Sequence, residues 1–366
     1  MKKTLYRIVS VLLVISILLF SLASCTEKNV KTALSYNDAN GKTISAIDIK
    51  LFSLMTSVVN FQLGTSSLED SMWDMAYQDG NSTTVKEIVI AQSTAYAKGL
   101  LQAEYICDKV YSIGISKQQE NSIDKYISEL TASFGGEKNL ENALSVYGTD
   151  IASLKRYMAL VLKQDTLYQT LYSENGIRRE NVETRKPEYF KEHFVICDHI
   201  LVKYSGGLKD DGTEIPLDEA KKAEKRDFAK ALYNEITNGL RDFDSALDEF
   251  NEDTYKLGYP FGYFVPDSFY WTGISEKVQD AALEMSEDEI RFVDTENGAY
   301  IIRKNKMNPS LHASNGSFST YIDAQICQED FLSMCETADG ATINKEVIGE
   351  INPARVPPFN IDSFGK

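Results

Sequence analysis

The chain has 366 residues, with 54 acidic against 38 basic side chains and a formal charge of −16. A body this acidic is repelled by nucleic acid and by anionic lipid headgroups, which argues against both as partners, whereas basic or apolar clients are compatible with it. Three histidines, and five cysteines with no CxxC spacing, leave little material for a zinc site, and no metal or cofactor is expected.

In chain order, Lys2, Lys3 and Arg7 come first as a positive n-region, Ile8 to Leu22 follow as an almost unbroken apolar run, and Leu22-Ala23-Ser24-Cys25 ends it. The run is short for a helix crossing a hydrocarbon core of about 30 Å and reads as a secretory signal. The tetrapeptide resembles the bacterial lipobox. That implies cleavage after residue 24, a diacylglyceryl group on the Cys25 thiol, and a mature chain anchored by lipid on the extracytoplasmic face of the cell membrane. At roughly 0.8 kcal/mol per buried methylene, two acyl chains hold a protein where one does not. The competing reading is an ordinary signal peptide or uncleaved anchor with a chance cysteine. Loss of Lys2, Lys3 and Arg7 moves the charge from −16 to about −19. Residues 25–44 read as a polar tether, and no later segment is apolar enough to span a bilayer.

From Ser45 to Asn175 the pattern is helical. Ile47, Leu51, Leu54, Met55, Val58 and Val59 recur at three-to-four spacing and predict a helix near Ser45 to Gln62. Thr65 to Ser82 reads as an irregular insertion. A long helix is expected from about Thr84 to Tyr111. Ser116 with Gln119 is a capping-box start for the next, which ends at Phe134-Gly135-Gly136. Leu140 to Tyr147 and Asp150 to Tyr172 are two further helices, the second closed by Asn175-Gly176.

The pattern changes near Pro187. His193 to Tyr204 is β-branched and aromatic and predicts a buried strand. Leu217 to Asn238, Phe243 to Phe250 and Ser275 to Met285 read as helices, and Gly258 to Phe264 is a glycine-punctuated aromatic stretch. Ile290 to Asp294 and Ala299 to Lys304 read as strands joined by Glu296-Asn297-Gly298. The order β-α-α-β-α-β-β is an α+β unit with helices over a small antiparallel sheet. After Met307 come a linker, a helix near Phe318 to Thr337, and a tail with a strand expected at Val347 to Ile351. These last pieces cannot bury a core alone and are expected to return to the N-terminal helices. Cys327 and Cys335 share one expected helix, about 12 Å apart along its axis, too far to bridge. Cys107, Cys197, Cys327 and Cys335 read best as buried free thiols, with disulfides to other segments left open.

Several segments resemble one family in the right order. Asp198-His199-Ile200-Leu201-Val202, Phe243-Asp244-Ser245-Ala246-Leu247 with Phe250-Asn251-Glu252-Asp253, Gly258 to Phe264, Val278-Gln279-Asp280-Ala281-Ala282 and Gly298-Ala299-Tyr300-Ile301-Ile302 resemble the motifs of a parvulin-type peptidyl-prolyl isomerase domain. Upstream, Phe134 to Tyr172 looks like the helices of the SurA/PrsA chaperone domain. With the lipobox and the returning helix, the set resembles the PrsA-like foldase lipoproteins. The resemblance implies an α+β chain with a helical chaperone domain at 45–190, an inserted parvulin-like domain at 191–306, and a linker with returning helix and tail at 307–366. It also implies unfolded or exported client proteins as partners, and it leaves a homodimer open.

For the site, the resemblance places His199 at the first histidine, Asp253 at the central Cys/Asp position and Phe261 at the pocket leucine. The sequence departs from the family elsewhere: Tyr300 stands where the second histidine belongs, Val278 at the pocket Phe and Ile274 at the pocket Met. Prolyl rotation breaks no bond and needs no nucleophile or metal, only an apolar slot for the ring and polar groups that favour the twisted amide. Tyr300 keeps a hydroxyl able to donate to His199. Three readings therefore stand: a foldase with isomerase activity, a chaperone with the parvulin fold and no chemistry, and a surface lipoprotein that binds a solute or wall component. The last would need repeated βαβ units, against which the helical half argues.

Overall fold

The computed structural model describes residues 30–37, 40–76, 83–209, 213–270, 274–337 and 340–365. The signal run with Leu22 to Cys25, and Trp271, lie outside them. The described residues fall into two compact units, one formed by the chain up to Arg179 together with Gln328 onward, the other by Glu180–Cys327. The architecture is α+β.

The first unit opens with an antiparallel pair, β1 (Thr32–Asn37) and β2 (Thr43–Asp48). A strand thus stands where a tether was expected, because Ala33, Leu34 and Tyr36 are buried apolar residues in the polar run. The first helix starts correspondingly later. α1 (Ile49–Gln62) is capped by Asp48, whose carboxylate accepts from the Leu51 amide at 2.9 Å. Every residue from Leu51 to Asn60 is buried, so α1 is the unit's central helix and not a one-faced surface helix. Two of its polar side chains donate to carbonyls, Thr56 to that of Phe52 at 3.0 Å and Ser53 to that of Tyr147 at 2.7 Å.

Around α1 pack α2 (Val85–Tyr105), α3 (Lys117–Ser133), α4 (Glu137–Ser145) and α5 (Ile151–Tyr172). The expected capping box of Ser116 with Gln119 forms, and Thr84 with Glu87 makes a second reciprocal box. α2 continues as a π-helical turn, Ile106–Tyr111. The Glu104 carboxylate is buried at its end and accepts from Arg156 and Ser45, and from Lys163 at 3.0 Å; Lys163 also reaches Asp108 at 2.8 Å. That network ties β2, α2 and α5 together.

The second unit opens with α6 (Arg179–His193), which runs through Pro187. The sequence pattern changes near that residue. An interior proline costs about 3 kcal/mol or more, and burial of Tyr189 and Phe190, the latter packed on Phe194 and Phe264, offsets it. β3 (Phe194–Lys203) follows, then a small hairpin, β4 (Ser205–Leu208) with β5 (Glu214–Pro216). α7 (Glu219–Thr237), α8 (Phe243–Phe250), β6 (Tyr263–Pro266), α9 (Glu276–Glu284), β7 (Ile290–Asp294) and β8 (Gly298–Lys304) complete a four-stranded antiparallel sheet of order β6-β3-β8-β7. Central β3 is covered on both faces. Cys197 and Leu201 face Val278, Ala281 and Ala282 of α9, while Ile200 faces Leu232 and Ile236 of α7 and Phe243 of α8. A strand buried on both sides has to be apolar almost throughout, as this one is. Gly298 is required by contact, because a Cβ there would lie 2.8 Å from the Val202 carbonyl oxygen.

α10 (Gly316–Thr337) begins in this unit, where Phe318 meets Phe194 and Phe264, and ends in the first. There the Asp330 carboxylate accepts from Arg178 Nε at 2.6 Å and Nη2 at 2.7 Å, and Phe331 packs on Tyr168. The chain then adds β9 (Ala341–Ile343) antiparallel to β1, giving a sheet of order β2-β1-β9. The strand expected at Val347 to Ile351 is instead a helical turn, α11 (Lys345–Ile348), because Asn344 caps it through the Val347 amide at 3.3 Å. Cys107, Cys197, Cys327 and Cys335 are all buried and none of the four is in a disulfide.

Candidate functional site

His199 sits mid-strand on β3, opposite Ile302 of β8, and shares the α9-covered face with Cys197 and Leu201. Asp253 comes from the loop after α8, and main-chain bonds to β3 hold that loop in place. The Asn251 side chain accepts from the Leu201 amide at 2.9 Å and the Asp253 amide at 3.1 Å, and the Glu252 amide donates to the Leu201 carbonyl at 2.8 Å. So placed, Asp253 meets His199 with Oδ2 at 2.9 Å from Nε2. Both side chains are buried, His199 at 2% and Asp253 at 8% exposure.

A third member joins them. The Tyr263 hydroxyl donates to the same Asp253 oxygen, and its ring stacks on the imidazole with centroids 4.6 Å apart and planes at 15°. Gly262, at φ +88°, turns the chain into β6 so that Tyr263 pairs with Cys197; a Cβ there would lie 3.0 Å from the Cys197 carbonyl. Burial raises the Asp253 carboxyl, but the hydrogen bonds from His199, Tyr263 and the Tyr255 amide outweigh it and hold it at about 2. Burial, with the bond to that carboxylate, pushes the Tyr263 hydroxyl well above its ordinary range. The result is a fixed anion under two donors. With Nε2 bound to Asp253, His199 Nδ1 is buried and has no hydrogen-bond partner among the described residues.

The remaining expected residues divide. Tyr300 packs edge-on to His199, with ring centroids 5.2 Å apart and planes at 70°. Ile274, Val278 and Tyr300 share one cluster with Tyr263. Val278 is fully buried between sheet and helix, so a larger ring there would overpack the core. Phe261 stands apart, half-exposed on the turn before β6. Exposed Tyr255 and Leu257 follow Asp253 along the chain. Tyr263 is the residue the sequence reading passed over. Its place directly after a glycine in the aromatic stretch Gly258 to Phe264 was the available signal. Among the described residues no group of three or more His, Cys, Asp or Glu could hold a metal, and no helix is long and apolar enough to cross a membrane.

No family model matches the chain, and no curated protein does. Among solved structures it is similar to PrsA from Bacillus subtilis, at 15% identity over 72% of this chain and 90% of that one, with a TM-score of 0.24. It is also similar to the foldase protein PrsA from Streptococcus pneumoniae, at 15% identity over 76% and 98% with a TM-score of 0.22. A third is the peptidylprolyl isomerase PrsA from Bacillus anthracis, at 17% identity over 67% and 97% with a TM-score of 0.24.

Proposed function

We propose that the chain is an extracytoplasmic protein-folding factor, tethered to the cell membrane through lipid on Cys25. In this reading the helical domain (45–190 with the returning segment of 307–366) holds unfolded exported clients, and the parvulin-like domain (191–306) isomerises prolyl bonds. The observation that carries it is the His199–Asp253 pair. Two residues 54 positions apart, each singled out from a separate motif, meet at 2.9 Å.

The chemistry is electrostatic. An amide resists rotation by about 18–20 kcal/mol because resonance places negative charge on its oxygen. Twisting withdraws that charge. A carboxylate held ionised beside the carbonyl therefore disfavours the planar state more than the twisted one. Proline exchange on short peptides by the full chain, with suppression of client aggregation measured alongside, tests both halves. A weak but measurable rate is expected. A rate equal to the uncatalysed one removes the isomerase half, and absence of aggregation suppression removes the client-holding half.

A second reading, a chaperone without the chemistry, is favoured by burial: His199 is 2% exposed and Val278 fully covered, so neither offers a surface to a proline ring. The solute-binding reading loses ground, since every strand pair described is antiparallel. For location, Cys25→Ala is expected to release the mature chain from membranes or leave it unprocessed. Normal processing with unchanged fractionation would overturn the lipid anchor.

A further inference from the structure

The end of the chain, Pro353 to Gly365, lies along the helical unit and is gripped mainly by its backbone. Asn60 of α1 donates to the carbonyls of Pro353 at 3.0 Å and Val356 at 2.7 Å, and Ser57 donates to that of Pro357. The Phe359 amide returns a bond to the Ser57 carbonyl at 3.0 Å, and the Tyr126 hydroxyl donates to the Ile361 carbonyl at 3.0 Å. Two aromatic anchors fill sockets between these clamps. Phe359, 1% exposed, meets Tyr147 edge-on at 5.1 Å, and Phe364 lies 5.2 Å from Phe134.

The donors on the groove match what such a segment offers. Pro353, Pro357 and Pro358 have no N–H, so this stretch presents carbonyls in excess, and Asn60, Ser57 and Tyr126 all aim hydrogens at carbonyls. Backbone clamps do not read side chains. The rings supply apolar contact and select only for an aromatic after the prolines.

We propose that this groove is the client site of the helical unit, and that the C-terminal tail occupies it as a displaceable stand-in for a client segment carrying proline followed by an aromatic. The proposal rests on the client-holding half of the reading above and not on isomerisation. A tethered tail competes at an effective concentration on the order of millimolar, so free peptide meets an occupied groove.

The test uses the full chain and a fluorescent peptide with the sequence of residues 353–365. Wild type is expected to bind it weakly, and the double variant Phe359→Ala, Phe364→Ala at least tenfold more tightly by anisotropy. A variant that melts as a folded protein and binds no better overturns the proposal. Hydrogen exchange on wild type decides independently of any variant. The Phe359 amide is expected to exchange at least tenfold faster than the core amides of α1, such as that of Met55. Equal protection would make the tail part of the core and end the proposal. A chain that suppresses aggregation without exchanging its tail loses this proposal alone. One that binds the peptide without suppressing aggregation loses the client-holding reading alone.

Discussion

Glu104→Ala is expected to destabilise the helical unit by about 3–5 kcal/mol, the cost of breaking a buried ion pair by removing one partner. Glu104 is 7% exposed and accepts from Arg156, Lys163 and Ser45, so its loss strips three donors at once. Lys163 keeps Asp108 at 2.8 Å, which places most of the damage on Arg156. Burial raises the Glu104 carboxyl, but Arg156, Lys163 and Ser45 outweigh it and hold it at about 2, against an ordinary 4.5. The folded value is the depressed one. The contribution is therefore present above about pH 4.5 and is lost as pH falls through about 2. Urea unfolding from pH 7 to 2 checks this: the acid loss should be shallower in Glu104→Ala. A cost under about 1 kcal/mol would mean that the cluster behaves as a solvated surface pair.

None of that network was legible in the sequence, and the reason is physical. Ser45, Glu104 and the α5 pair Arg156 and Lys163 come from three separate stretches of chain and satisfy no shared local pattern; only the packing of β2, α2 and α5 brings them together. Local signals did better. The capping box at Ser116, the glycine stops, and helices such as Phe243–Phe250 depend on neighbours within a turn. Where the reading slipped, a tertiary partner decided the outcome. Thr32–Asn37 becomes a strand because β2 and β9 pair with it. The candidate site divides in the same way. His199 and Asp253 were accessible through their motifs. The Tyr263 hydroxyl bond depends on the Gly262 turn, and the edge-on packing of Tyr300 depends on the register that sets it opposite Leu201.

Asp253→Ala is the change that separates the readings of the second unit. It removes the one acceptor shared by His199 Nε2 and the Tyr263 hydroxyl, leaving two buried donors unpaired at about 1–3 kcal/mol each. The expected cost to the unit is about 2–4 kcal/mol, measurable as faster hydrogen exchange along β3. Asp253→Asn keeps the shape and one acceptor oxygen, so it should cost about half as much. The kinetic expectation runs differently. If a fixed negative charge favours the twisted amide, Asn should lower the prolyl exchange rate as far as Ala does, although it preserves the fold better. The pH dependence follows from the same geometry. The Asp253 carboxyl titrates at about 2 in the folded chain against an ordinary 3.8. Its contribution to stability is therefore full above about pH 3.8 and disappears as pH falls through about 2. Tyr263→Phe removes one of the donors that hold the anion, so the acid limb should move to higher pH while the His199 bond remains. An Asp253→Asn chain that isomerises at the wild-type rate would take the charge out of the mechanism. An Asp253→Ala chain that also keeps β3 fully protected would reduce the pair to an ordinary contact in the sheet.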